Sequence, residues 1–240
     1  MLKFSQSPST IPKILRALDA LFTDVKSLLI VLHDNPDPDA LASGMALKTL
    51  CESRYAISTA IAHGGMINRA ENKSMVSELG IALSNIDKIN AKNFDRIAVV
   101  DTQPGRGNNS LPPQTHCHLV FDHHATVDND TADLIIYNKN IGATATLLCE
   151  LLRAASIDIK TNLATAIAYA IRTETLELQR EASSRDAAMY LYVYPLSSLR
   201  KIGAIISPNL PNSYFEMLSI ALGKALIFRR FIFVPLGNVV

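Results

Sequence analysis

The chain has 240 residues, of which 48% are hydrophobic and 19% are charged, and its formal net charge is +1. This composition excludes a disordered chain, and the near-neutral charge argues against a dedicated binder of long nucleic acid, which would show a basic excess. No apolar run approaches the ~18 residues that a membrane span needs, and the N-terminus lacks the apolar core of a signal peptide. We therefore expect a cytoplasmic protein with no membrane partner.

The first part of the chain predicts a helix, a strand and an acidic loop. Apolar residues at helical spacing predict a helix over residues 11–26, and the run Leu28–Leu32 predicts a buried strand. The loop His33–Asp39 follows, and its two prolines prevent a strand or a helix from continuing. Asp39 occupies the position expected for the N-cap of the next helix, which runs to about Arg54.

Strands and helices alternate through the middle of the chain. We predict strands over residues 56–62, 96–100, 119–121 and 134–137, and helices over residues 68–79, 142–156, 162–171 and 186–192. Because alternating elements favour a parallel sheet with right-handed crossovers, we expect an α/β fold with a doubly wound parallel sheet of about five strands.

The last part of the chain changes in composition. Residues 195–213 contain three prolines and several serines and are typical of a linker. A predicted helix over residues 214–228 and a predicted strand over residues 231–235 follow. We therefore divide the chain into a domain over 1–194, a linker over 195–213 and a fragment of a second domain over 214–240. The apolar C-terminal strand is expected to promote self-association.

Three of the predicted strands end in acidic or imidazole side chains. These are His33, Asp37 and Asp39 after the first strand, Asp101 after the third, and Asp122, His123 and His124 after the fourth. The carboxyl ends of parallel strands meet at one edge of the sheet, where α/β proteins bind ligands. So many carboxylates in one place cost free energy unless a cation neutralises them.

Carboxylates mixed with imidazoles, without thiolates, favour Mn²⁺ or Mg²⁺ over structural zinc. Two such ions about 4 Å apart activate a water and stabilise the oxygens of a phosphoryl displacement. His33 and Asp37 can face one ion, Asp39 and His123 its neighbour, and Asp101 can bridge them. Taken alone, the first loop is explained equally well by an Asx-turn and a helix cap. The coincidence at three strand ends favours a metal site.

At these residues the chain resembles the DHH phosphoesterase family, which includes RecJ-like exonucleases, oligoribonuclease/phosphoadenosine-phosphate phosphatases and cyclic-dinucleotide phosphodiesterases. The resemblance covers roughly residues 25–195. The matching motifs are His33–Ala40, Val100-Asp101, Asp122-His123-His124, Gly142-Ala-Thr144 and Ala170–Thr175.

The resemblance implies two divalent ions per active site. It implies one ion held by His33, Asp37 and Asp101, and a second held by Asp39, Asp101, His123 and Glu174. It also implies that His124 contacts the scissile phosphate and that Asp122 orients the ligands from behind. Glu174 stands where the family most often has Asp, so this ligand arm is one methylene longer.

The implied function is two-metal hydrolysis of phosphoester bonds in short oligonucleotides or small nucleotides, of the phosphoadenosine phosphate or cyclic-dinucleotide type. An inorganic pyrophosphatase or exopolyphosphatase is the alternative within the same chemistry. From a different class, the alternative is a truncated, catalytically poor protein that binds metal or a nucleotide without turnover.

Overall fold

The computed structural model describes residues 2–5, 10–112, 114–125 and 132–236. The chain divides into two compact units, Met1–Ile206 and Ser207–Val240. None of the helices in the described ranges combines the length and the hydropathy that crossing a membrane requires.

The first unit contains one sheet of seven parallel strands. The strands are β1 (Leu2–Ser5), β2 (Ser27–Leu32), β3 (Ser58–His63), β4 (Ser84–Asn85), β5 (Arg96–Val100), β6 (Cys117–Asp122) and β7 (Ala132–Tyr137). Their order across the sheet is β1-β7-β6-β5-β2-β3-β4, and every neighbouring pair is parallel. The direction of winding reverses between β2 and β5, and the crevice beyond such a reversal is the usual ligand site of an open α/β sheet.

Seven α-helices and three short 3₁₀ helices complete the described part of the first unit. The α-helices are α1 (Ile11–Leu21), α2 (Pro38–Tyr55), α3 (Ala70–Leu79), α4 (Thr144–Ala154), α5 (Thr161–Glu174), α6 (Ser184–Val193) and α7 (Leu199–Ile206). The 3₁₀ helices are Ile86–Lys88, Ala91–Asn93 and Tyr194–Leu196.

The larger hydrophobic core lies between one face of the sheet and all seven α-helices. Leu28, Ile30 and Leu32 of β2 are fully buried in it. The central helix α2 contacts β2, β3, α4 and α5. Gly44 allows this close approach, because a Cβ there would lie 3.0 Å from Leu32 Cδ2. The amino end of α2 is therefore held directly beyond the carboxyl end of β2.

The opposite face of the sheet carries a smaller apolar cluster. Leu29, Val31 and Val120 pack there against Ile86 of a 3₁₀ helix and Leu111 of a loop. In the described residues, short 3₁₀ helices and loops cover this face where a doubly wound sheet usually has α-helices.

The predicted α/β fold with a parallel sheet is confirmed. The prediction missed two strands, β1 and β4, because four and two residues are too short for a pattern to identify a strand. It also extended the first helix to residue 26, whereas α1 ends at Leu21 and the buried Phe22 and Val25 follow it.

The segment predicted as a linker, residues 195–213, contains helix α7. Its buried Ile202 and Ile205 pack α7 on α3 and α5, and Lys201 Nζ donates hydrogen bonds to Glu78 O at 2.7 Å and Asn162 Oδ1 at 2.8 Å. The prolines of the segment lie outside the helix, so they delimit this short element and do not prevent it.

The second unit contains a helix and a hairpin. Helix α8 covers Asn212–Gly223, and the antiparallel strands β8 (Leu226–Phe228) and β9 (Phe231–Phe233) follow. The predicted helix over residues 214–228 therefore ends five residues early, at Gly223, and its last part is a strand. All six side chains of the hairpin strands are exposed.

We expect the 240-residue chain to self-associate through this hairpin, since two strands alone are marginally stable and their open edges accept further strands. Ile232→Lys should reduce the association, and Leu191→Lys should not, although Leu191 of the first unit is as exposed as Ile232 (69% and 67%). Sedimentation velocity over a concentration series measures this, and a monomeric parent at all concentrations would contradict it.

Candidate metal centre

The loop after β2 is shaped by the start of α2. Asp37 caps this helix, because its Oδ1 accepts hydrogen bonds from the Asp39 and Ala40 amides, both at 3.0 Å. The sequence placed the cap at Asp39, but Asp39 lies in the first helical turn. The reason is that Pro38 takes the first helical position, where its missing N–H needs no partner.

Asp39 is fully buried and is held by the amino end of α4. Its Oδ2 accepts from the Thr144 amide at 2.7 Å, and its Oδ1 accepts from the Ala145 amide at 2.9 Å. Amides in the first turn of a helix have no partner within the helix, and together with the helix dipole they favour a negative charge at this position. The contact joins residues that lie more than 100 positions apart in the sequence.

Asp101 follows β5 and adopts a left-handed backbone conformation, with φ of 60°. Non-glycine residues are rarely found there, and such strain is concentrated at functional sites. The Asp101 amide donates to Phe121 O at 2.8 Å. The buried carboxylate accepts from Thr144 Oγ1 at 2.8 Å through Oδ1. The strained backbone thus directs the carboxylate between the ends of β2 and β6.

His33, Asp37 and Asp101 form one group of potential metal ligands. His33 Nε2 lies 3.6 Å from Asp37 Oδ1 and 3.8 Å from Asp101 Oδ2. These distances exceed those of hydrogen bonds. Metal–ligand bonds of about 2.1 Å place two ligands of one ion about 3 to 4 Å apart. His33 Nδ1 lies 2.9 Å from Asp34 O, so the ring donates there and keeps Nε2 free to bind a metal.

His123 occupies the corresponding position on the other side of Asp101. Its Nε2 lies 3.8 Å from Asp39 Oδ2 and 3.7 Å from Asp101 Oδ1. This nitrogen is buried and has no hydrogen-bond partner among the described residues. Its Nδ1 lies 3.2 Å from Ile141 O, which again favours the tautomer with a lone pair at Nε2. A buried lone pair that faces two carboxylates is suited to bind a cation between them.

Asp122 orients the second histidine of the motif. Its Oδ1 accepts hydrogen bonds from His124 Nδ1 at 2.8 Å and from the His123 amide at 2.9 Å. Its Oδ2 accepts from the Gln103 side chain. Sequence reasoning missed Gln103, whose place in a turn-rich loop gave no signal of this contact. His124 is 45% exposed and remains accessible from the cleft, and its Nδ1 lies 3.8 Å from Asp101 Oδ1.

Glu174 ends helix α5 and is half-buried near the same carboxylates. Burial, followed by the charges of Asp39 and Asp37, raises the pKa of Glu174, while His123 and His124 act in the opposite direction. Two groups of described residues at the centre have all their ligand atoms within 4.8 Å of one another, and they are His33, Asp37 and Asp101, and Asp101, His123 and His124. Neither Glu174 nor Asp39 belongs to these groups, although Asp39 Oδ2 lies 3.8 Å from His123 Nε2. The roles of Glu174 and Asp39 as ligands stay predictions.

The charges at the centre are unbalanced without a cation. Burial and the neighbouring Asp37 carboxylate raise the pKa of Asp39 to about 7. Burial and the charges of Asp39 and Asp37 raise the pKa of Asp101 well above its ordinary value. Asp39 is thus partly protonated near neutral pH in the absence of a metal, the raised pKa of Asp101 favours its neutral form, and a divalent ion would restore the charged forms of both.

The histidines respond to different neighbours. Burial and the nearby His124 lower the pKa of His123, which favours the neutral form that binds metals. The hydrogen bond to Asp122 raises the pKa of His124 and favours its positively charged form. The pKa values of two adjacent imidazoles are therefore shifted in opposite directions, and this agrees with a ligand beside a phosphate contact.

A second cluster, His116, His118 and Asp133, lies at the opposite edge of the sheet. There the Ile97 amide donates to His118 Nδ1 at 3.1 Å, so the ring carries its proton on Nε2. His118 thus lacks the free Nε2 lone pair of His33 and His123, and we assign no ion to this cluster.

Residues 27–171 match the family model described as DHH family, N-terminal domain. The chain belongs to the DHH family. An uncharacterised protein of Methanocaldococcus jannaschii is 40% identical over 215 residues, which are 88% of this chain and 42% of that protein. A protein of Lactobacillus gasseri, named as a probable manganese-dependent inorganic pyrophosphatase, is 27% identical over 153 residues, which are 63% of this chain and 48% of that protein.

This DHH chain thus spans about half the length of the curated relatives it matches. Among solved structures, an exopolyphosphatase-related protein from Bacteroides fragilis superposes with a TM-score of 0.72 at 16% identity, covering 93% of this chain and 67% of that one. At that identity, the superposition shows the shared fold alone.

We predict that Mn²⁺ stabilises the protein more at pH 8 than at pH 5. The raised pKa of Asp39 means that the folded, metal-free protein binds more protons than the unfolded chain between about pH 4 and pH 7. Its free energy of unfolding therefore falls as the pH rises through this range, and a divalent ion offsets that loss. Thermal melts with and without Mn²⁺ measure the difference, and an equal shift at both pH values would contradict the charge assignment.

We also predict opposite effects of Asp101→Asn on the metal-free and metal-loaded protein. The amide can still accept from Thr144 Oγ1, and it removes one buried charge, so the metal-free protein at pH 8 should have a higher free energy of unfolding than the parent. The stabilisation by Mn²⁺ should be lost. Asp133→Asn, an exposed carboxylate beside His116, is the control and should change neither. Retention of the full Mn²⁺ shift in Asp101→Asn would exclude Asp101 as a ligand.

Proposed function

We propose that this chain carries the catalytic centre of a divalent-metal-dependent phosphohydrolase, with Mn²⁺ or Mg²⁺ bound at two adjacent positions. The observation that carries the proposal is the pair of imidazoles on either side of Asp101. His33 faces Asp101 Oδ2 and His123 faces Asp101 Oδ1, at 3.8 and 3.7 Å. One carboxylate with a separate ligand partner for each oxygen is suited to bridge two ions.

The donor set supports hard divalent ions. His33, Asp37 and Asp101 would hold one ion, and Asp39, Asp101 and His123 the other, with Glu174 as a further ligand of the second. The donors are carboxylate oxygens and imidazole nitrogens, which suit Mn²⁺ and, for the carboxylates, Mg²⁺. When bound, such a pair of ions lowers the pKa of a water nucleophile and neutralises charge on the phosphate oxygens.

His124 is the residue that we expect to contact the substrate. Its Nδ1 is occupied by Asp122, its raised pKa favours the charged form, and nearly half of its side chain is exposed. It can therefore present an N–H and a positive charge to a phosphate oxygen. Asp122, fixed in turn by Gln103, keeps the ring in this orientation.

We propose phosphoester bonds of short oligonucleotides or small nucleotides, such as phosphoadenosine phosphate or a cyclic dinucleotide, as the substrate. The second candidate is inorganic pyrophosphate or polyphosphate, and the pyrophosphatase names among the relatives favour it. Both substrates require the same displacement at phosphorus, so the difference lies in what holds the rest of the molecule.

We expect the 240-residue chain with Mn²⁺ to release mononucleotides from a dinucleotide, and phosphate from phosphoadenosine phosphate. Product analysis by chromatography, with pyrophosphate and a cyclic dinucleotide as parallel substrates, measures this. Phosphate release from pyrophosphate alone would establish the second candidate. Binding of Mn²⁺ with no turnover of any substrate would identify a metal-binding protein without this activity.

His124→Gln should lower kcat by about 100-fold or more, because loss of one positioned donor to a developing negative charge costs about 10²- to 10³-fold. Binding of Mn²⁺, measured by calorimetry, should remain, since His124 is not among the proposed ligands. His116→Gln, at the opposite edge of the sheet, is the matched control and should retain the parental kcat. An unchanged kcat in His124→Gln would remove this residue from the catalytic assignment.

A further inference from the structure

Asp186 is a fully buried carboxylate that none of the proposed ligand positions uses. It lies in the first turn of α6, beyond the residues 27–171 that match the family. A buried carboxylate is costly unless its oxygens accept enough hydrogen bonds. The partners of Asp186 therefore indicate what it stabilises.

Two sets of donors surround Asp186. The Ser183 amide donates to Oδ2 at 2.7 Å and the Asp186 amide donates to Ser183 Oγ at 3.3 Å, and these two bonds form the capping box of α6. The Ser183 hydroxyl also donates to Oδ2, at 2.6 Å. The Gly142 amide also donates to Oδ2, at 2.9 Å, and Thr146 Oγ1 donates to Oδ1 at 2.6 Å. A capping box needs only the first set. The second set joins α6 to the loop and first turn of α4.

The same short segment, residues 141–146, holds the metal centre from its other side. Ile141 O accepts the hydrogen bond from His123 Nδ1. The Thr144 and Ala145 amides donate to Asp39, and Thr144 Oγ1 donates to Asp101. Three proposed ligands of the second ion, Asp39, Asp101 and His123, therefore contact this segment directly.

The rear of the segment is tightly packed. A Cβ on Gly142 would lie 2.4 Å from Thr175 Cγ2 and 3.1 Å from Glu181 O. The segment therefore cannot move towards Thr175 and Glu181. Asp186 fixes it through Gly142, which precedes α4, and through Thr146 in the first turn of α4. A shift of the segment would displace Asp39, Asp101 and His123 together.

We propose that Asp186 is a positioning residue for the second ion site, formed by Asp39, Asp101 and His123. This inference rests on the proposed function, because it assumes that the centre binds two ions. His33 and Asp37, which with Asp101 form the first site, belong to the loop after β2 and have no hydrogen bond with residues 141–146 in the described part of the chain. Since Asp101 is the one ligand of the first site that contacts this segment, loss of Asp186 should weaken the second site more than the first.

The test is Mn²⁺ binding to the purified chain by calorimetry and EPR. In the parent we expect two ions with an exchange-coupled EPR signal. In Asp186→Ala the weaker ion should bind about 10- to 100-fold less tightly, as is usual when a residue that orients a ligand is lost. The first ion should lose less affinity than the second and, when it is bound alone, show the hyperfine pattern of an isolated Mn²⁺.

Three further variants separate positioning from folding. Ser183→Ala removes a cap contact and leaves Gly142 and Thr146 bonded to Asp186, so it should lower thermal stability with both Mn²⁺ affinities retained. Asp186→Asn can accept from Gly142 and donate to Thr146, so it should rescue binding of the second ion. Thr146→Val removes one link and keeps its shape, so it should weaken the second ion in the same direction as Asp186→Ala.

Parental affinity for the second ion in both Asp186→Ala and Thr146→Val would overturn the inference and leave the proposed function intact. If Asp186→Ala does not fold, Thr146→Val decides alone. A parent protein that binds fewer than two ions would instead overturn the proposed function, and the inference with it.

Discussion

The structure depends on the close approach of buried carboxylates at the point where the sheet reverses its winding. Asp39 and Asp101 are both almost completely buried. The charge of Asp39 raises the pKa of Asp101, and the charge of Asp37 raises the pKa of both. Water cannot screen this repulsion in the interior. The amides at the start of α4 offset part of it, and a cation held by the imidazoles on either side would offset the remainder.

Several unusual local features serve this arrangement. The left-handed backbone of Asp101 directs its carboxylate between β2 and β6. The cap at Asp37 places the start of α2 over the end of β2. The close packing of Gly142 fixes the start of α4 against the rest of the domain. Each of these features is costly or restrictive alone, and together they bring candidate ligands from the ends of three strands and the start of helix α2 to one place.

The sequence predicted the site better than its surroundings. His33, Asp101 and His123 could be recognised because each follows a short apolar run, and the ends of parallel strands converge. Gln103 and Asp186 could not be recognised, since their partners lie 19 and 44 residues away, and a polar residue in a loop or a helix cap has the same local pattern whether or not it reaches the centre. Strand β4 was missed for a different reason, because two residues carry no periodicity.

The position of Glu174 marks the limit of the motif. A motif can indicate that an acidic residue ends helix α5, but the reach of its side chain depends on how α5 packs against α2 and α4. In the structure Glu174 is close enough for the charges of Asp39 and Asp37 to raise its pKa. It lies outside both groups of ligand atoms at the centre that are within 4.8 Å of one another. Whether it completes the second site is thus determined by metal binding itself.

The bridging role of Asp101 is tested most directly by anomalous scattering from a crystal of the Mn²⁺-loaded chain, recorded on both sides of the manganese absorption edge. We expect two anomalous peaks, one between His33 and Asp101 and one between His123 and Asp101, with a carboxylate oxygen of Asp101 beside each. A single peak, or peaks that Asp101 does not contact, would show that this carboxylate does not join two ions.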